Sequence, residues 1–289
     1  MNILEIKNLT KYYGKTLAVK KLNLELKEGE IFGFIGPNGA GKSTTIRAIM
    51  NLINKTEGEI YFNKELLTKD KVELKKLIGY LPSEVSFYED LTVKEMLDYH
   101  ESFYNQNLTK RRKELVKRLK LDESKKIEDL SLGNSKKLGI ILAFMHQPKL
   151  LILDEPTSGL DPVMQQVFYE MLKEEKEKGT TIFYSTHILS EVSKICDRVG
   201  IIKEGNLLKV ETIEEMSNKN LTYVTIESNE VEKIIGALNL EIISKENNLI
   251  RFKNKLSADL LIKELAKYKI EKILIEEATL EDIFLNYYM

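Results

Sequence analysis

Gly36-Pro37-Asn38-Gly39-Ala40-Gly41-Lys42-Ser43-Thr44 is the stretch that decides the fold of this chain. It matches G-x-x-x-x-G-K-[ST], and its surroundings fit. The apolar run Glu30 to Ile35 reads as a strand feeding a glycine-rich turn, and Thr44 to Leu52 has helical spacing. A strand, such a turn and a helix start make a phosphate cradle. The glycines let successive backbone N–H groups turn inward, and the helix N-terminus adds partial positive charge. Lys42 is placed to reach the β- and γ-phosphates of a nucleotide, and Ser43 to ligate magnesium.

Ile3 to Leu9 and Thr16 to Leu26 read as strands before the cradle. After it, Thr92-Val93-Lys94-Glu95 is a capping-box pattern opening a helix to about Tyr104, and Thr109 to Leu121 predicts a strongly basic helix. Together they form a helical insertion. Strand patterns return at Leu150 to Leu153 and Thr180 to Ser185, around a helix from about Pro162 to Lys178. Strands alternating with helices predict an α/β core with a mostly parallel, helix-covered sheet.

The strand Leu150 to Leu153 ends in Asp154-Glu155, which supplies the second half of a hydrolytic site. One carboxylate can hold magnesium through water while its neighbour takes a proton from the attacking water. Polar candidates also gather at Ser158-Gly159-Leu160-Asp161 and Thr186-His187, where an imidazole can approach a terminal phosphate.

Composition narrows the function classes. Hydrophobic residues make up 43% and charged residues 31% of 289, which suits folded domains rather than extended disorder. The net charge of -1 provides no global field toward nucleic acid, so no nucleic-acid partner is expected. Cys196 is the single cysteine, which excludes an internal disulfide framework and matches a reducing cytosol. Met1 to Lys7 alternates like a strand and lacks the pattern of a signal peptide. The longest apolar run, Gly139 to Met145, is far short of the ~18 residues that span a bilayer, so a membrane role requires partners.

Beyond about Ser217 the pattern changes. Strands at Leu221 to Glu227, Leu240 to Ser244, Leu249 to Phe252 and Ile270 to Ile275, with helices at Glu230 to Leu238 and Ser257 to Tyr268, give a β-α-β-β-α-β, ferredoxin-like α+β order. A last helix opens at Thr279. The expected division is therefore 1–217, with the helical insertion at about 84–145, and a small C-terminal domain at 218–289.

With these motifs in order, residues 1 to about 215 resemble the ABC ATPase family, within the P-loop NTPases. Gly36 to Thr44 resembles the Walker A motif, Leu150 to Asp154 Walker B, Glu155 the catalytic base, Ser158 to Asp161 the D-loop and His187 the switch histidine. Tyr13 resembles the aromatic residue that stacks on adenine. Leu130-Ser131-Leu132-Gly133-Asn134 stands where the family carries its signature. The resemblance implies ATP and Mg2+ as cofactors, with Ser43 and Asp154 at the metal. It also implies that Ser131 and Gly133 contact ATP held by a second cassette, in a homodimer or heterodimer.

Two departures stand out. The signature, usually LSGGQ, has Leu132 for a glycine and Asn134 for the glutamine, and the Q-loop glutamine is replaced by Ser83. These variants, with the ending Ala278 to Phe284, look most like ATPases of bacterial export-type ABC systems with a C-terminal accessory domain. Such subunits work on transmembrane permease subunits at the cytoplasmic face of the membrane. The alternative is a soluble ABC protein acting on ribosomes or DNA, but those resemble tandem cassettes or carry long coiled coils. Ser83 to Leu91, bearing Val85, Phe87, Tyr88 and Leu91, is with the start of the following helix the expected permease-docking segment, with packing between lobes as the other reading. The run Lys110 to Lys113 reads as a solvated helix face, with permease or lipid headgroups as the alternative contact.

Overall fold

The computed structural model of the chain describes residues 1–217, 222–238, 240–254 and 256–277. They fall into two compact units, Met1–Ile213 and Glu214–Met289. The chain opens with a hairpin, β1 (Asn2–Tyr13) and β2 (Thr16–Lys27), followed by β3 (Ile31–Ile35), α1 (Lys42–Ile49), β4 (Glu57–Phe62) and the short β5 (Glu65–Leu66). Next come α2 (Val72–Lys75), β6 (Ile78–Leu81), α3 (Val93–Glu101), α4 (Thr109–Leu119) and α5 (Leu132–Phe144). The chain returns through β7 (Leu150–Asp154), α6 (Pro162–Glu177), β8 (Thr181–Thr186), α7 (Leu189–Ile195), β9 (Arg198–Lys203), β10 (Asn206–Thr212) and α8 (Ile213–Ser217).

Two sheets organise the first unit. A six-stranded sheet has the order β10-β9-β3-β8-β7-β6, and a four-stranded antiparallel sheet the order β2-β1-β4-β5. In the larger one β9, β3, β8, β7 and β6 are parallel, while β10 runs antiparallel at the edge. Every residue of β3, β7 and β8 is buried. This is why these strands are continuous apolar runs rather than alternating ones: helices or a second sheet cover both faces. Phe183 lies between Phe32 and Phe34, with ring centroids 6.0 and 5.2 Å away, and each such buried side chain contributes roughly 1.5–3 kcal/mol. β1 runs past the expected end at Leu9 because its pairing with β2 continues to Tyr13 opposite Thr16.

The register sets the site. Ile35 is level with Thr186, Asp154 with Ser185, and Leu81 with Leu153. The segments that follow β3, β8, β7 and β6 therefore leave the sheet side by side at its carboxyl edge, where ligands of parallel α/β sheets bind.

The capping box at the start of α3 is complete: Thr92 accepts from the Glu95 N–H, and the Thr92 N–H donates to Glu95 at 2.8 Å. The basic run of α4 departs from the expected solvated face. Lys110 and Lys113 are exposed, but Arg112 is 8% exposed and pairs with Asp98 and Glu123, while Arg111 pairs with the buried Glu175 of α6. Arg118 adds a two-point contact to Glu174 at 2.5 and 2.7 Å. The guanidinium fork suits such bidentate pairing, so the run fastens α4 to α3 and α6 instead of facing solvent.

At the end of the helical segment two histidines share a buried aromatic cluster. The His146 ring stacks on Tyr104 at 4.6 Å and lies 5.8 Å from His100. Burial pushes both imidazoles down to about 4, with His100 also repelling charge on His146. A group whose pKa is lowered on folding from about 6.5 keeps its stabilising effect above that value and loses it as pH falls toward the folded pKa. Each histidine is expected to cost about 2 kcal/mol of stability between pH 7 and pH 5. Urea midpoints at the two pH values check this, and the acid loss should shrink in His100→Phe/His146→Phe. An equal loss in that variant would remove the histidines as its source.

The second unit is described by itself. β11 (Thr222–Glu227), α9 (Val231–Leu238), β12 (Glu241–Glu246), β13 (Leu249–Asn254), α10 (Ala258–Leu265) and β14 (Lys272–Glu277) follow in a β-α-β-β-α-β order. The sheet is antiparallel, ordered β12-β13-β11-β14, over a core of Val224, Ile226, Ile234, Ile250, Phe252 and Leu261. The expected terminal helix at Thr279 lies outside the described residues. No helix among the described residues is long and apolar enough to cross a membrane.

Candidate nucleotide site

The loop between β3 and α1 turns on backbone geometry that side chains would obstruct. Gly41 caps α1 at φ 106°, and a Cβ there would sit 2.6 Å from the Ala18 carbonyl of β2. Gly36 is packed as tightly, since a Cβ would meet the Ile202 carbonyl at 2.3 Å. The loop therefore lies against β2 and β9, and its remaining residues enclose a cavity of about 300 Å³ lined by Ala18, Asn38, Gly39, Gly41, Lys42, Ser43, Thr44, Ser83 and Glu155.

Lys42 is 5% exposed and donates to the carbonyls of Gly36 at 2.8 Å and Pro37 at 3.3 Å. Its ammonium also stands 3.5 Å from Glu155 Oε1, and Glu155 Oε2 is 2.9 Å from His187 Nδ1. Cation, carboxylate and imidazole thus form one chain, of which Lys42 and Glu155 line the cavity. Glu155 holds a left-handed backbone, φ 47°, secured by its N–H donating to the Ser185 carbonyl at 3.0 Å. A non-glycine residue in that region costs of order 1–3 kcal/mol and persists where the surroundings over-determine it. Here it accompanies a carboxylate held between Lys42 and His187.

Asp154 lies beneath, 1% exposed, and burial raises its pKa while the nearby Ser43 and Ser185 hydroxyls pull it the other way. Its Oδ1 is buried without a hydrogen-bond partner among the described residues. An orphaned carboxylate oxygen beside Ser43 has the hard oxygen chemistry that Mg2+ requires, so the residues present fit that ion.

The other expected residues divide. Gly36, Pro37 and Ala40 shape the loop without lining the cavity, and His187 reaches it through Glu155. Tyr13, Ser131, Gly133 and Asp161 are not among its lining residues. Tyr13 sits at the end of β1, 46% exposed, with the Lys11 ammonium 4.7 Å over its ring. Ser131 caps α5 by accepting the Asn134 N–H, and Asp161 caps α6 by accepting the Met164 N–H at 2.9 Å. Gly133 approaches the 158–161 turn, since a Cβ there would lie 2.9 Å from the Gly159 carbonyl. Ser131 is exposed, so the start of α5 faces outward in a single chain.

Sequence reasoning missed two neighbours of the site. Ala18 carries no chemical signal, and its role is its backbone against the loop. Lys136 of α5 is 1% exposed and donates to the Pro82 and Ser83 carbonyls at 3.1 and 2.9 Å, fixing the loop that carries Ser83. Burial lowers its pKa to about 8, which the charges of Asp154 and Glu155 oppose. Only its position inside the helix after the signature could have marked it.

Known proteins resemble this chain in sequence and fold. The family model described as ABC transporter matches residues 19–158. The bacitracin transport ATP-binding protein BcrA of Bacillus licheniformis is 38% identical over 81% of this chain and 77% of its own length. The linearmycin resistance ATP-binding protein LnrL of Bacillus subtilis is 37% identical over 75% and 71%. Among solved structures, the dimeric post-hydrolysis state of the ATP-binding cassette MJ0796 bound to ADP and Pi has 27% identity and a TM-score of 0.66, over 73% of this chain and 98% of that one. The alternative of an ATPase directed at ribosomes or DNA gains no support from these relatives. A P-loop, a carboxylate paired with an imidazole, and relatives of this closeness place the chain in the ABC transporter ATP-binding protein family, as an ATP-binding and ATP-hydrolysing subunit.

Proposed function

We propose that this chain powers export through a separate membrane permease, working at the cytoplasmic face of the membrane in a dimer of cassettes. The observation that carries this reading is the Lys42–Glu155–His187 chain at the cavity, with Ser131 of the signature exposed. In the proposed assignment Gly36 to Thr44 hold the ATP phosphates, Tyr13 stacks on adenine, and Glu155 takes the proton of the attacking water while His187 beside it approaches the terminal phosphate. Ser43 and Asp154 would hold Mg2+, which neutralises phosphate charge when bound. Ser131 and Gly133 complete the site of a second cassette, and Asp161 belongs to the same junction. Residues 1–217 form the hydrolytic domain and 218–289 an accessory domain. Transport of bacitracin and resistance to linearmycin in the relatives favour export.

The permease-docking loop divides by exposure. Val85 and Phe87 pack toward Gly139 of α5, where a Cβ would lie 2.9 and 3.8 Å from them, so these two serve the packing of the lobe. Tyr88 points outward and joins Tyr99 and Phe103 in an edge-to-face ladder with centroids 6.2 and 4.9 Å apart. These rings are 59%, 46% and 49% exposed, an aromatic patch suited to an amphipathic helix of the permease. Tyr88→Ser/Tyr99→Ser/Phe103→Ser is expected to bind nucleotide normally in isolation and to lose co-purification of a multi-span protein from membranes. Normal assembly and transport would move the docking site elsewhere.

A further inference from the structure

Behind the Glu155–His187 pair lies a buried carboxylate to which the reaction above assigns no role. Glu191, in α7, is 4% exposed, and among the described residues no lysine or arginine pairs with it. Instead hydroxyls converge on it from three elements. Its Oε1 accepts from Thr157 Oγ1 at 2.6 Å and Tyr169 OH at 3.3 Å, and its Oε2 from Tyr184 OH at 2.9 Å and Thr186 Oγ1 at 2.8 Å. Thr157 stands just past Glu155, and Thr186 immediately precedes His187. The same carboxylate therefore holds both segments that carry the reactive pair.

We infer that Glu191 is a positioning residue for ATP hydrolysis, a clamp that joins the turn after β7 to the end of β8 so that Glu155 and His187 meet. The inference rests on the reading of that pair as the hydrolytic acid–base apparatus. A carboxylate suits the task because it only accepts, and each of its oxygens can take two donors, so every hydroxyl is oriented by it. Thr186 Oγ1 shows the consequence: it donates to Glu191 and accepts the Ile188 N–H at 3.0 Å, which holds the backbone on both sides of His187. On the other side, Glu155 keeps a left-handed backbone that its neighbours must enforce, and Thr157 is the anchored residue of that turn. The network is shut in, since Tyr184 is fully buried and Tyr169 6% exposed. In such surroundings an unmatched polar atom is costly, so the donors stay on the carboxylate.

Glutamine at 191 keeps the volume and breaks the symmetry. Whichever way the amide is turned, its NH2 faces one of the two hydroxyl pairs, and either Thr157 or Thr186 loses its acceptor. The phosphate loop has no part in this network, so the effect should fall on turnover and spare ATP binding. Small misplacements away from the reacting atoms cost up to roughly 10²-fold in rate.

The test is a double-mutant cycle of Glu191→Gln and His187→Ala, with kcat and KM for ATP measured in the full chain. Glu191→Gln alone is expected to lower kcat roughly 10–10²-fold at unchanged KM. In the His187→Ala background the same change should have little further effect, because the pair it positions is already broken. Losses that multiply in both backgrounds, a KM that rises in step with the fall in kcat, or full activity of Glu191→Gln would each overturn the clamp. If Glu191→Gln does not fold, Thr186→Val removes one link at constant volume and should show the same loss of kcat and the same dependence on His187; its full activity would overturn the clamp as well. Full activity of His187→Ala beside an impaired Glu191→Gln would instead overturn the assignment of the pair, and the clamp with it.

Discussion

Glu155→Gln is expected to lower ATP turnover by roughly 10²–10⁴-fold, the usual contribution of a general base, while nucleotide binding persists. The carboxylate sits between the Lys42 ammonium at 3.5 Å and His187 Nδ1 at 2.9 Å, where it is oriented and still partly open, its side chain 18% exposed. The amide retains shape and reach, yet it cannot accept the proton of an attacking water. Phosphate release measures the loss, and fluorescent-nucleotide titration measures the retained binding. Because ATP then remains bound, cassette dimers should accumulate with magnesium and ATP and appear in sedimentation. Undiminished turnover would remove Glu155 from the chemistry. Monomer at every concentration would mean that the second cassette is a different chain or that the sandwich arrangement is wrong.

Lys42→Ala should abolish both binding and hydrolysis. Each charge-assisted hydrogen bond to phosphate is worth about 1.5–3 kcal/mol, or roughly 10–10² in affinity, so losing contacts to two phosphates compounds the effect. The substitution also frees the Gly36 and Pro37 carbonyls and deprives Glu155 of its cation. The parallel sheet and its core do not depend on Lys42, so thermal unfolding in the absence of nucleotide should change little. Nucleotide titration and thermal melting separate the two effects, and normal ATP affinity in a folded variant would contradict the cradle.

The sequence was most legible where chemistry and local geometry coincide. Gly36 and Gly41 are needed for backbone reasons that the neighbouring β9 and β2 impose, and the stretch they belong to names the ligand. Thr92 and Glu95 are similarly self-sufficient, because a capping box is satisfied within one turn. Elements that depend on distant partners were harder to read. β6, only Ile78 to Leu81, is a strand because β7 pairs with it, and β4 because β1 does. The basic run of α4 shows the same limit. Its sequence cannot reveal that Glu175 and Asp98, distant along the chain, wait for Arg111 and Arg112.

Motif and order along the chain were thus enough to establish an ATP-hydrolysing cassette, because phosphate binding is done by a contiguous loop whose requirements are written residue by residue. The meeting of Lys42, Glu155 and His187 was decided by the parallel register of β3, β8 and β7, which alone brings three separate strand ends together. Glu191 belongs wholly to that second kind of information. A glutamate on a short helix looks like any surface charge in the sequence, and only the packing of α7 against β8 and α6 turns it inward onto four hydroxyls. Burial and hydrogen-bond partnership are properties of what surrounds a residue, and the chain assembles those surroundings only when it folds.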